Sequence, residues 1–254
     1  MQEYTNQRIK DLLEHYYNKF NCEDFIKTDP IQIPHKFRNK EDVEISAFLT
    51  SVIAWGQRSI IIRNADKLMH YMGNEPYKFI MNSSDSDLKI FEGFKHRTFN
   101  GADCVYFIKS LKNIYRNHSG LQEVFYCKYK EYRRIDEAIT YFRKVFFELP
   151  HKPDTEKQIG SIEKNSAAKK TNMFLRWMVR KDDMSVDFGL WDNFSPSDLY
   201  LPLDVHSARV SRELGLLKRA SNDWKSVVEV TEKLKQFDPN DPVKYDFALF
   251  GSDL

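Results

Sequence analysis

Apolar side chains recur at helical spacing in one segment after another of this 254-residue chain, and no segment shows the strict alternation of a half-buried strand. Ile9, Leu12, Leu13, Tyr16, Tyr17 and Phe20 share one broad face of a helix over 5–20, with Asn21 as its stop. A second helix opens near Asn39, carries Glu41 and Asp42 in its first turn, and runs through Ile45, Phe48, Leu49, Val52 and Ile53 toward Trp55. Being apolar on most sides, it is expected at the centre of the fold. Further helices are read over 59–72 and 102–116, and Tyr141, Phe142, Val145 and Phe146 are read as core. The fold class is therefore all-α. Pro150, Pro153 and many charges mark 151–160 as a linker, so two helical lobes are expected: 39–150, and 1–38 with 161–254.

The remaining composition narrows the function classes. Apolar content of 41% and charged content of 30% suit a soluble globular protein. No apolar run approaches the roughly 18 residues of a membrane span. The start Met1-Gln2-Glu3-Tyr4-Thr5 lacks a signal peptide's apolar core, so a cytoplasmic location and no membrane partner are expected. Cys22, Cys104 and Cys127 are isolated, which fits neither a disulfide framework nor a zinc site, and no metal is expected. Net charge is only +2, but 93–144 holds eleven Lys or Arg against five Asp or Glu, and 221–254 holds four against seven. Such asymmetry suits an anionic polymer along one side, and it equally suits ordinary solvated helix faces.

Two dense patches carry the chemistry. In Lys169-Lys170-Thr171-Asn172-Met173-Phe174-Leu175-Arg176-Trp177-Met178-Val179-Arg180, an apolar helical face leaves Lys170 in the first turn and Arg176 and Arg180 one turn apart. In Pro202-Leu203-Asp204-Val205-His206-Ser207-Ala208-Arg209-Val210, Asp204 stands at an N-cap position, and Gly215 closes the helix after Leu214. A lysine amine can attack electrophilic carbon, and a carboxylate held ionised by a helix N-terminus can stabilise an oxocarbenium ion on a sugar. Taken singly, Asp204 is an ordinary cap and Lys169-Lys170 is ordinary surface charge.

Together the patches carry a resemblance. Leu203-Asp204-Val205-His206 running into Arg209-Val210 and Leu214-Gly215 resembles the catalytic-aspartate segment of the helix-hairpin-helix DNA glycosylases. Lys169-Lys170-Thr171-Asn172 resembles the helix start that carries their Schiff-base lysine. With the closing Asp238-Pro239-Asn240-Asp241-Pro242-Val243-Lys244-Tyr245-Asp246-Phe247, the chain looks like a bacterial family of unknown function placed in that superfamily. The resemblance implies a DNA-repair glycosylase with AP-lyase activity, Lys170 as nucleophile and Asp204 as the carboxylate. The expected partner is double-stranded DNA with a damaged base. It implies Gln57 and Trp55, or Trp191, at the extruded base, and Lys169, Arg176, Arg180, His206, Arg209 and Arg212 as nucleic-acid contacts. A monomer without cofactor or iron-sulfur cluster is expected.

Two features depart from the pattern. Ser166 and Ala168 stand where the superfamily's hairpin has glycines, and a long insert, Asp182 to Trp191, precedes Asp204, as in the archaeal 8-oxoguanine glycosylases. Two other classes stay open: a DNA-binding module of the same fold without chemistry, and a helical interaction protein in which Asp204 only caps.

Overall fold

The computed structural model describes residues 5–251, and its fold is all-α. In chain order the helices are α1 (Asn6–Phe20), α2 (Glu23–Thr28), α3 (Lys40–Ile53), α4 (Arg58–Tyr71) and α5 (Pro76–Asn82). A two-stranded hairpin, β1 (Lys95–His96) and β2 (Phe99–Asn100), is followed by α6 (Gly101–Asn117), α7 (Leu121–Tyr132) and α8 (Ile135–Phe146). The chain closes with α9 (Lys169–Val179), α10 (Val205–Glu213), α11 (Trp224–Lys235) and α12 (Asp246–Gly251). The hairpin has two residues per strand, paired Lys95 with Asn100 and His96 with Phe99, too short for an alternating pattern to be visible.

The chain divides into two units: residues up to Lys27 with Gly160 onward, here the terminal unit, and Thr28–Ile159, the inserted unit. These boundaries differ from the expected lobes. Residues 28–38 belong to the inserted unit, where Asp29 caps a 3-10 turn by accepting from the Ile31 amide at 3.0 Å. The expected linker at 151–160 is built structure as well. Pro153–Gln158 forms a 3-10 helix, and the Gln158 side chain donates to the Thr98 carbonyl at 3.0 Å. Charge and proline content suggested a tether, but the charges are satisfied locally, as in the Arg143–Glu156 pair at 2.6 Å.

The inserted unit is organised around α3, of which only the first two residues escape burial. Phe48 on that helix meets Phe107 of α6 and Phe142 and Phe146 of α8 at ring-centroid distances of 6.0, 5.5 and 5.4 Å. Phe125 of α7 stacks on Phe142 at 4.3 Å. Offset and edge contacts of this kind add to the burial of large apolar area.

The terminal unit packs Ile9 and Leu13 of α1 with Leu203, Val210 of α10, Val227, Val230 and Leu234 of α11, and Ala248 and Leu249 of α12. The N-termini of α9 and α10 both lie in this unit.

Candidate active site

The entry into α9 is a tight turn. Asn165 and Ala168 both take left-handed backbone angles, φ 61° and 46°. Ala168 thus adopts, with a side chain, a conformation that glycine favours. The turn is tied to the start of α11: Asn165 Nδ2 donates to Asp223 Oδ2 at 3.0 Å, and the Trp224 amide donates to the Asn165 carbonyl at 3.2 Å. Gly160 packs so closely below it that a Cβ there would lie 2.3 Å from Ser166 Oγ. As N-cap, Ala168 offers no side-chain acceptor to the first amides of α9, so that helix end keeps its partial positive charge beside Lys169 and Lys170.

Asp204 caps α10 as expected, and its second oxygen is used differently. Oδ1 accepts from the Ser207 amide at 2.9 Å while Ser207 Oγ accepts from the Asp204 amide at 2.8 Å, a reciprocal capping box. Oδ2 accepts from Lys169 Nζ at 3.0 Å. Both side chains stay partly open, Lys169 at 30% and Asp204 at 22% exposure. Burial pushes the Asp204 carboxyl upward, but the Lys169 charge and the Ser207 donors outweigh it and hold the group below the usual carboxylate range. Asp204 is therefore ionised at neutral pH. Sequence reasoning expected the Lys170 amine at this carboxylate; the pair is made by Lys169, with Lys170 half-buried beside it.

Arg176 and Arg180, expected as nucleic-acid contacts, lie inside the unit. Instead of waiting for phosphate, both are buried in a carboxylate network. Arg176 pairs with Asp246 and, at 3.3 Å, with Asp187. Arg180, with 0% exposure, pairs with Asp182, with Asp187 at 3.0 Å and with Asp241 at 2.8 Å, and donates to Tyr17 Oη at 2.7 Å. A guanidinium so enclosed has no edge left for a ligand. The insert supplies Asp187: it folds back on α9, the Phe188 amide donating to the Trp177 carbonyl at 2.8 Å and the Trp191 amide to the Met178 carbonyl at 2.9 Å. Trp191 is fully buried, 5.3 Å from the Phe174 ring, so it cannot meet an extruded base either.

Asp246 links this network to the Lys169–Asp204 pair. Burial raises its carboxyl; Arg176 and Lys169 pull it down, Asp204 and Asp187 push it up, and it comes to rest at about 6. Two carboxylates near one lysine are thus displaced in opposite directions, the pattern that separates acid from base roles in many sites.

The other expected contacts divide. Arg212 braces the loop before α11, donating to the carbonyls of Arg219, Ala220 and Ser221 at 2.8, 3.0 and 3.2 Å, and is committed there. His206 turns its ring edge toward Phe250 at 6.3 Å, and its Nε2 is covered. Arg209 is exposed on α10, paired with Glu213 at 2.7 Å.

In the inserted unit, Gln57 is an exposed N-cap of α4. Beside it the Arg97 guanidinium lies 4.3 Å above the Trp55 ring. Arg97 sits in the hairpin turn at φ 56°, and Gly56 at φ 107° makes room for it, since a Cβ there would stand 2.9 Å from its Nη1. Buried His96 ties β1 to α4 and to the Trp55 backbone. Its Nδ1 accepts from Asn64 Nδ2 at 2.9 Å, so its Nε2 carries the proton that it donates to the Trp55 carbonyl at 3.2 Å.

The chain belongs to the DUF2400 family. That family is described as a protein of unknown function, and its match covers residues 29–254. No curated protein and no solved structure gives a match. Among the described residues of this DUF2400 protein, no group of three or more His, Cys, Asp or Glu could hold a metal ion, and no helix is long and apolar enough to cross a membrane. The residues that sequence reasoning missed are Asp187, Asp241 and Asp246. A signal existed for two of them, because Asp241 and Asp246 stand in the closing motif quoted for the resemblance.

Proposed function

We propose that this DUF2400 protein is a DNA-repair N-glycosylase with AP-lyase activity, acting on a damaged nucleotide extruded from the duplex. The observation that carries the reading is the Lys169–Asp204 pair, 3.0 Å apart and partly open at the mouths of two helices in one unit. In this account Lys169 serves as the counter-ion of Asp204, and Lys170, one residue deeper in α9, supplies the nucleophilic amine.

The Lys170 nitrogen lone pair bonds to the sugar C1′ as the bond from C1′ to the base breaks. The base leaves with that electron pair and takes up a proton, and the amine nitrogen loses its own. Asp204, ionised, stabilises the oxocarbenium character that develops on the ring. Ring opening gives a Schiff base between Lys170 and C1′, from which elimination of the 3′ phosphate cuts the strand. On the inserted unit, Gln57 and the Trp55–Arg97 stack offer amide and planar surfaces of the kind that meet nucleic-acid bases. Arg209 and the uncapped amides of α9 are suited to phosphate.

Borohydride reduces a Schiff base to a stable amine, so it traps the enzyme on its substrate. With oligonucleotides bearing 8-oxoguanine, uracil, thymine glycol or an abasic site, a covalent adduct is expected with the natural chain, persisting in Lys169→Gln and absent in Lys170→Gln. An adduct lost only in Lys169→Gln would move the nucleophile by one residue. No adduct and no cleavage on any substrate would leave a DNA-binding module.

A further inference from the structure

On the inserted unit, Arg63, Asp66, Lys67 and His70 follow one another at the spacing of neighbours on one face of α4. They line an open groove of about 670 Å³, closed on its other side by Lys36 and Phe37. Asp66 is already engaged by Lys36 in an ion pair. That leaves the side chains of Arg63, Lys67 and His70 with no hydrogen bond or ion pair to any other described residue; that of Lys67 makes only a ring contact, 5.4 Å over Tyr71. Arg63 and Lys67 lie four residues apart, where like charges repel each other. Gathered along one groove and left unpaired, they suit an anionic ligand.

The groove is open, which suits a polymer lying across it better than an enclosed small molecule. It also has a direction. The same helix begins at Gln57 and Arg58, beside the Trp55–Arg97 stack, and from Arg58 to His70 it rises about 18 Å at 1.5 Å per residue. We propose that this face of α4 is a track for the phosphodiester backbone of nucleic acid, leading away from the reading loop at Gln57, with Arg63 and Lys67 as its phosphate contacts and Phe37 as an apolar wall. The track rests on the nucleic-acid reading above, and it adds a contact surface that the chemistry at Asp204 does not require.

The test uses the full chain and an undamaged 30-base-pair duplex, with affinity followed by fluorescence anisotropy across a salt series. The double variant Arg63→Gln/Lys67→Gln is compared with Lys225→Gln/Lys233→Gln, which removes the same charge from exposed positions of the terminal unit. Losing two phosphate contacts is expected to reduce the slope of log K against log salt by about two and to weaken binding about tenfold at moderate salt. The control pair is expected to behave as the natural chain does. A groove variant indistinguishable from the control, in a protein that still binds DNA and still traps with borohydride, overturns the track alone. Absence of salt-dependent DNA binding by the natural chain overturns both the track and the repair reading. A second arm titrates inorganic phosphate calorimetrically at matched ionic strength. No saturable heat is expected, and saturable binding that vanishes in Arg63→Gln/Lys67→Gln would make the groove a site for a free phosphate group instead.

Discussion

Phe142 and Arg180 are both completely covered, one by Phe48, Phe125 and Phe146 in the inserted unit, the other by Asp182, Asp187, Asp241 and Tyr17 in the terminal unit. The first is held by area and shape, and a different apolar side chain of similar volume would serve. The second is held because removing a guanidinium from water is costly unless carboxylates and hydrogen bonds surround it, so each member of the network depends on the others. Burial raises Asp241 even against Arg180, while Arg180 is kept firmly protonated by Asp187 and Asp241 against the cost of its own burial. The unit that carries Lys169 and Asp204 thus holds a buried charged network beside its apolar core.

Magnitude alone does not separate the two kinds of core. Phe142→Ala is expected to cost about 3–5 kcal/mol through cavity formation, and Arg180→Leu about 3–5 kcal/mol through stranded carboxylates. Acidity separates them. Without its cation, Asp241 moves further above its unfolded value. The folded form then binds a proton that the unfolded form does not, and the stability tied to it is lost as pH rises. Denaturant unfolding of Arg180→Leu should therefore show a deficit that shrinks toward pH 4, whereas the Phe142→Ala deficit should be the same from pH 4 to pH 8. A pH-independent loss in Arg180→Leu would remove the distinction.

Asp246 sharpens the comparison from within the network. Its carboxyl sits at about 6, above its ordinary value near 4, so its contribution is complete at low pH and is lost as pH rises through 6. The stability difference between the natural chain and Asp246→Asn should accordingly be largest near pH 4 and shrink by up to about 3 kcal/mol by pH 7. A flat difference would mean that Asp246 is as ionised in the folded chain as in the unfolded one. The smallest effect concerns the turn. Ala168→Gly relieves a left-handed alanine, and a gain of about 1 kcal/mol or less in denaturant unfolding is expected; a loss would show that the buried methyl outweighs the backbone.

The same contrast explains what could be read in advance. The helices of the inserted unit follow directly from apolar spacing, because Phe48, Phe142 and Phe146 mean the same thing wherever their partners come from. Arg176 and Arg180 do not. Their spacing places them one turn apart, yet it says nothing of the carboxylates that return to them from between 2 and 70 positions away. Without those partners two arginines on a helix look like phosphate anchors. The N-cap at Asp204 was legible because capping is local. Which lysine meets Asp204 was not, since successive helix residues point about 100° apart and the choice depends on how the turn at Ala168 launches α9. The Trp55–Arg97 stack was equally hidden, because it joins residues 42 positions apart through a two-residue hairpin.

The central claim is that Asp204 does more than cap. Asparagine caps a helix about as well as aspartate but carries no charge, so Asp204→Asn separates the two roles. Single-turnover excision on the trapped lesion, measured beside a thermal melt, is expected to show a variant that unfolds within a few degrees of the natural chain and whose excision rate falls by at least about a hundredfold, the scale of one lost electrostatic stabiliser. Excision at the natural rate by a normally folded Asp204→Asn chain would contradict the account.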